Sequence, residues 1–250
     1  SEMCIRDRRT PSWMAASKLP SMWTSVPSST NTQAMPVSWQ MGRSFSLAAL
    51  RLDHSRSRVF LASGQVAQAA DVLYKRPIVL MRGSFNPVCN LHLEVMSQVK
   101  KCFLNHINET QADRCMEICE ISMNNLLRGG DVDHLEFLDR ADSLKALGKN
   151  VLITKMPRFD NLSELLARYT KEPIAIALSI GLLNELFKEK WTEDIPGGIL
   201  ESFGRTFQNK TRLYVSPWLN RKSGEFVTAR TFRAPEQYVH LYQHFLANEL

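Results

Sequence analysis

Ten residues carry the most specific chemical signal in this sequence: Gly83-Ser84-Phe85-Asn86-Pro87-Val88-Cys89-Asn90-Leu91-His92. The apolar, partly β-branched run Ile78-Val79-Leu80-Met81 leads into them through Arg82, and an amphipathic run from His92 to Leu104 leads out. Strand, glycine turn and helix together aim backbone N–H groups and a helix N-terminus at an anion. The helix dipole and the unpaired first-turn amides both favour negative charge there. The chemistry expected of the stretch is therefore phosphate binding. Asn86-Pro87 closes the turn, since the residue before proline is pushed out of the helical region.

These residues need a scaffold that presents the turn at a sheet edge, and the order of elements supplies one. Strands are expected at Arg58–Leu61, Pro77–Met81, Asn150–Thr154, Ile174–Leu178 and Leu213–Val215. Val66–Leu73 reads as an edge hairpin or a short helix. Helices are expected at His92–Leu104, Gln111–Leu127, Asp133–Leu147, Asn161–Tyr169, Leu182–Lys190, Ile199–Phe207 and Glu236–Leu246, with Asn90 capping the first. Continuous apolar strands alternating with helices indicate a doubly wound, mainly parallel, Rossmann-like α/β sheet covered on both faces. In such a sheet, ligands sit outside the C-terminal strand ends. The loops after Met81, Thr154, Leu178 and Val215 share that edge.

The remaining candidates are weaker. Gly197-Gly198 before a helix is a second possible phosphate cradle with Arg205 beside it, or a close-packing device. Cys115 and Cys119, spaced i, i+4 on the expected second helix, read as buried thiols rather than a zinc pair. Glu117, Glu120, Asp131, Asp133, Glu136 and Asp139 read as a solvated acidic face, and His134 among them as a surface residue. His240 and His244 share a helix face without a third ligand, so Tyr238, Tyr242 and Phe245 mark that helix as a packing element. No metal site is expected.

Size and composition set bounds. The chain has 250 residues and a net charge of +6. Residues 1–44 contribute about half of that excess, and residues 45–250 are close to balanced. No basic face or helix emerges, so nucleic acid is not an expected partner. No apolar run approaches the roughly 18–20 residues of a membrane helix. Five cysteines without a secreted signature fit a reducing, cytoplasmic setting. Residues 1–44 are rich in Ser, Thr, Pro, Met and Trp, without sustained periodicity. They are expected to be a disordered or non-native leader ahead of one α/β domain spanning 45–250.

Gly83 to His92 resembles the signature of the nucleotidyltransferase superfamily that includes the nicotinamide and nicotinate mononucleotide adenylyltransferases. That signature runs Gly-[Ser/Thr]-Phe-[Asp/Asn]-Pro, any residue, His or Thr, two residues, His. Cys89 stands at the first His/Thr position and His92 at the last. The resemblance implies that Gly83 permits close backbone approach, that the Ser84 and Phe85 amides hold phosphate oxygens with Asn86 and Cys89 in the same nucleotide site, and that His92 donates to the charge developing at the α-phosphate. The resemblance implies a Rossmann-like fold and transfer of the adenylyl group of ATP to a pyridine mononucleotide (NMN or NaMN), with Mg2+ carried by the nucleotide. It also implies a C-terminal phosphate motif, Ile-Ser-x-Thr-x-x-Arg. Thr228-Ala229-Arg230-Thr231-Phe232-Arg233 shares some of its composition without its spacing, and Arg205, Lys210 and Arg212 are candidate substitutes.

From about Phe45 onward, Val72–Pro77, Asn124–Leu127, Leu147–Ile153 and Gly197–Arg205 resemble a long bacterial family. Its members are labelled NMN adenylyltransferase or TonB-dependent receptor. An outer-membrane barrel would need many alternating strands of about ten residues, which this sequence lacks. Against that family the chain reads as a C-terminal part. The expected function is adenylyl transfer in NAD biosynthesis, with a homo-oligomer as one form it could take. The alternative is a non-catalytic nucleotide-binding or assembly module that keeps the fold.

Overall fold

The computed structural model describes residues 57–123, 134–220 and 224–250. The expected leader, residues 45–56, Asp131 and Asp133 lie outside them. Seven strands form one sheet: β1 (Ser57–Phe60), β2 (Val66–Gln68), β3 (Ile78–Arg82), β4 (Met116–Ser122), β5 (Asn150–Thr154), β6 (Ile174–Ser179) and β7 (Thr211–Ser216). The order is β2-β1-β5-β4-β3-β6-β7, and β3 to β7 run parallel. The hairpin β1–β2 closes one edge in antiparallel sense. A separate ribbon pairs β8 (Trp218–Leu219) with β9 (Phe226–Val227).

β3 is the central parallel strand, and its five residues are all buried. A strand covered on both faces needs such a continuous run. The chain leaves β3 towards β4 and β5, then returns to pair β6 on the other side of β3. The strand order therefore reverses between β3 and β6. Ligands of open α/β sheets bind in the crevice at that reversal, and Gly83 begins there.

The helices divide between the two faces. α2 (Asn90–Leu104) and α4 (His134–Ala146) cover the face built from Val79, Met81, Cys119, Val151, Ala175 and Tyr214. α1 (Ala69–Leu73), α5 (Phe159–Tyr169), α6 (Ile180–Leu186), α7 (Gly198–Thr206) and α8 (Val239–Ala247) cover the other, built from Ile78, Leu80, Ile118, Leu152, Ile176 and Leu213. α2 buries Val95, Met96, Val99, Cys102 and Phe103, an apolar stripe at three- and four-residue spacing. Val66–Leu73 is both of the expected alternatives in succession, a three-residue strand and then a five-residue helix.

One element differs in kind. The helix expected over Gln111–Leu127 is instead a short helix, α3 (Glu109–Asp113), followed by strand β4. Two glutamates made this segment resemble an amphipathic helix with a wet face. Both are neutralised by contacts distant in sequence. Glu117 takes Lys100 and Lys149 at 2.7 and 2.6 Å. Glu120 is fully buried against Arg82. With those charges matched, the segment is a fully covered strand of Met116, Ile118, Cys119 and Ile121. Neither glutamate belongs to a solvated helix face, and Cys115 and Cys119 do not share one. Burial pushes the Cys119 thiol up to about 12 and the Cys115 thiol up to about 11, so both are inert packing groups.

Glu117 has a testable signature. Burial pushes its carboxyl up, but hydrogen bonds from Lys100 and Lys149 outweigh this and hold it below the ordinary carboxylate value. Its stabilisation is then fully present above that ordinary value and is lost as pH falls through the lower, folded-state value. Glu117→Gln is expected to cost about 1 kcal/mol at neutral pH, because the site is partly solvated. It should also flatten the acid limb of stability against pH, measured by urea unfolding from pH 3 to 7.

Candidate active site

The candidate site starts at the end of β3. The Gly83 N–H donates to the Glu120 carbonyl at 3.1 Å, which carries the β3–β4 ladder one residue past the strand. The chain then turns sharply: Phe85 has φ of 48°, and the Asn86–Pro87 peptide is cis. Phe85 is 1% exposed and points into the core beneath α2. It anchors the turn. Ser84 and Asn86 are exposed at the surface.

Gly83 has a local reason to be glycine. A Cβ there would meet the Phe85 ring at 3.1 Å. The close approach observed is thus the chain's own phenylalanine, whereas the sequence reading assigned the space to a ligand. Gly83→Ala is expected to press on the Phe85 ring, which must give by a few tenths of an ångström in a packed core, and to cost about 1–3 kcal/mol. The midpoint of chemical denaturation would show it, with an unchanged slope.

α2 begins two residues before the expected start at His92, and its cap moves back by one. Its cap is Cys89, and Asn90 is its first residue. The Cys89 N–H donates to His92 Nδ1 at 3.1 Å, and Cys89 Sγ lies 3.2 Å from the same nitrogen. His92 occupies the third helical position, where glutamate or glutamine ordinarily reaches back to the cap. Because a backbone N–H donates to Nδ1, that nitrogen is unprotonated and the ring proton sits on Nε2. Phe85 packs edge-on against the imidazole at 5.2 Å between centroids. The ring is half-buried, and burial lowers its pKa from the usual histidine value. His92 is therefore a neutral, oriented Nε2–H donor at the start of a fifteen-residue helix.

Sequence reasoning missed Arg140. From α4 its Nη1 donates to the Ser84 carbonyl at 3.4 Å, which brings a guanidinium to the glycine turn. Its signal in the sequence was an arginine inside an acidic run (Asp139-Arg140-Ala141-Asp142), and nothing in that spacing points to Ser84. Also missed was Arg82, whose guanidinium is buried and bonded to Glu120.

The second candidate is not brought to this place. α7 lies on the opposite face of the sheet from α2. Its N-terminus is occupied by its own helix: Glu201 accepts from the Gly197 N–H at 2.8 Å and also bonds Arg205. Arg205 further pairs with Glu164 of α5 at 3.3 Å. Gly198 has φ of 55°, so its glycine serves the helix entry. Of the other substitutes, Arg212 is half-buried on β7 and Lys210 is exposed ahead of it. Thr228 and Thr231 bond each other's backbone N–H reciprocally, at 2.9 and 3.3 Å. His240 and His244 bond Gln243 and Asn248 on α8.

Among the described residues, no three His, Cys, Asp or Glu side chains gather to hold a metal ion. No described helix is long and apolar enough to cross a membrane. Compared with protein-family models, curated proteins and solved structures, the chain matches none.

Proposed function

We propose that this protein is a nucleotidyltransferase that joins a pyridine mononucleotide, NMN or NaMN, to the adenylyl group of ATP. One observation carries the reading. A neutral histidine with its Nε2–H free of the helix cap stands at the N-terminus of α2, directly after the central parallel strand, where the strand order reverses.

In the proposed reaction a phosphate oxygen of the mononucleotide attacks the α-phosphorus of ATP. The new P–O bond forms as the bond to the β-phosphate oxygen breaks, and pyrophosphate leaves. Such transfers depend mainly on positioning and charge stabilisation. His92 Nε2–H would donate to the α-phosphate oxygen as its charge grows. The N-terminus of α2 adds its dipole, and Arg140 adds a positive charge beside Ser84. Magnesium enters as part of the substrate, MgATP, coordinated chiefly by the phosphates.

A coupled assay for NAD formation from NMN and MgATP, repeated with NaMN, tests the proposal on the full chain. Dinucleotide and pyrophosphate appearing in equal amounts are expected. Binding of MgATP without turnover would instead favour the non-catalytic nucleotide-binding module, a reading that gains from Cys89 at the usual His/Thr position. No binding of either nucleotide overturns both.

A further inference from the structure

Among the described residues, the apolar strands of the sheet bury a polar network at the edge where the candidate site sits. Arg82 Nε and Nη2 donate to the two Glu120 oxygens at 2.6 and 3.1 Å. Nη2 also donates to the Met156 carbonyl at 2.9 Å, and Nη1 to the Pro157 carbonyl at 3.2 Å. Glu120 Oε1 accepts the Thr154 hydroxyl at 2.5 Å, and Ser122 Oγ donates to the Met156 carbonyl at 3.0 Å. The guanidinium lies 4.9 Å from the centre of the Phe159 ring. Arg82 is 8% exposed and Glu120 is not exposed at all.

A buried ion pair adds little net stability compared with an apolar pair of the same volume. The neighbouring strands already bury apolar residues at equivalent positions, so the fold itself does not require these charges. What an apolar pair could not do is hold the Met156 and Pro157 carbonyls. Those carbonyls belong to the loop after β5, two strands away from β3. Arg82 pulls that loop across the end of β4 and sets it beside Gly83, the next residue in the chain. Glu120 fixes the guanidinium plane from one side, while its own carbonyl holds the Gly83 N–H from the other.

We infer that Arg82 and Glu120 are a positioning pair. Their bidentate bond sets the spacing between the Gly83–His92 turn and the 155–158 loop, which follow β3 and β5 at the same edge of the sheet. The consequence for nucleotide binding rests on the function proposed above; the coupling of the two segments does not. The guanidinium fork is essential, because a lysine ammonium cannot serve a carboxylate and two carbonyls in one plane.

The test uses Arg82→Lys and the double variant Arg82→Met/Glu120→Leu in the full chain. Three quantities are measured: thermal unfolding, amide exchange and MgATP affinity. In Arg82→Lys, exchange within 83–92 and 155–158 is expected to rise roughly 10- to 100-fold, the loss of hydrogen bonds to a charged donor. Exchange within β6 and β7 should stay as it was. In the double variant the melting temperature should return to near the wild-type value while both segments stay unprotected. A purely structural pair gives the opposite result: protection returns together with stability, which overturns the inference. Unchanged exchange at both segments in Arg82→Lys also overturns it, and decides the matter if the double variant fails to fold. If wild type binds MgATP, both variants should bind it at least tenfold more weakly, and equal affinity would overturn the nucleotide consequence. If the variants give the exchange pattern but the wild-type chain does not bind MgATP, the proposed function is refuted and the positioning pair is supported.

Discussion

His92→Gln is expected to slow dinucleotide formation by roughly 100- to 1000-fold, the usual loss on removing one donor to a developing oxyanion. Glutamine is the informative replacement. It is a favoured residue at the third helical position, where its side-chain oxygen can accept the Cys89 N–H and keep the helix start intact. With its oxygen held by the Cys89 N–H, its amide NH2 is a weaker and differently directed donor than the imidazole Nε2–H. Thermal stability should therefore change little, kcat should fall, and the KM for MgATP should stay near its wild-type value, because the lost bond forms only in the transition state. Activity that persists in this variant would remove His92 from the mechanism. The pH dependence follows from the lowered histidine pKa. Nδ1 remains an acceptor for the Cys89 N–H below the ordinary histidine value, so the oriented ring and the activity should hold through mildly acidic pH and fall only as the lower, folded-state value is passed and a proton on Nδ1 breaks the cap. Stability has the matching sign. Below the ordinary value the unfolded chain takes up a proton that folded His92 refuses, so the folded state loses stability until its own pKa is reached.

Most of the scaffold was legible because apolar runs decide it. Ile78–Met81, Val151–Ile153 and Ile174–Leu178 are continuous and β-branched, and each lies in a strand buried on both faces. The glycine turn was legible for a similar reason, since Gly83, Asn86 and Pro87 constrain the backbone locally. β4 was not legible. Its pattern contains Glu117 and Glu120, and local reading gives a glutamate in an apolar run to solvent. Only the folded chain brings Lys100, Lys149 and Arg82 to them. Losing β4 also concealed the reversal between β3 and β6, which depends on which strands flank β3.

The two glycine candidates show where spacing stops being informative. Both precede helices; the sequence reads Gly83 as a phosphate turn and Gly197-Gly198 as either a phosphate cradle or a close-packing device. At Gly197 the helix supplies its own anion through Glu201, four residues on. At Gly83 the following helix carries no acidic residue in its first turn, and a histidine bonds the cap instead. A carboxylate at the N-terminus fills the role of an anionic ligand, and a neutral imidazole leaves that role open. His92, third in α2, and Glu201, fourth in α7, therefore separate the two sites better than the glycines do.

Phe85→Ala is expected to destabilise the protein by about 3–5 kcal/mol, the range for truncating a fully buried phenylalanine. That is a large share of the stability of a domain this size. The ring fills the space under α2 among Val88, Val95 and Met96, and also supports the imidazole of His92 edge-on. Two further effects act at the same residue. Phe85 holds φ of 48°, a conformation that alanine adopts no more easily than phenylalanine does. The deep contacts of the ring offset that strain, and alanine would keep the strain without the contacts. The turn should then relax, and relaxation moves the Cys89 cap and with it His92. Phe85→Ala should thus lower both the denaturation midpoint and nucleotide turnover. Phe85→Leu keeps most of the buried volume and should recover more of the stability than of the turnover, because leucine has no ring edge to hold the imidazole. Equal recovery of both would mean that the ring acts through packing alone.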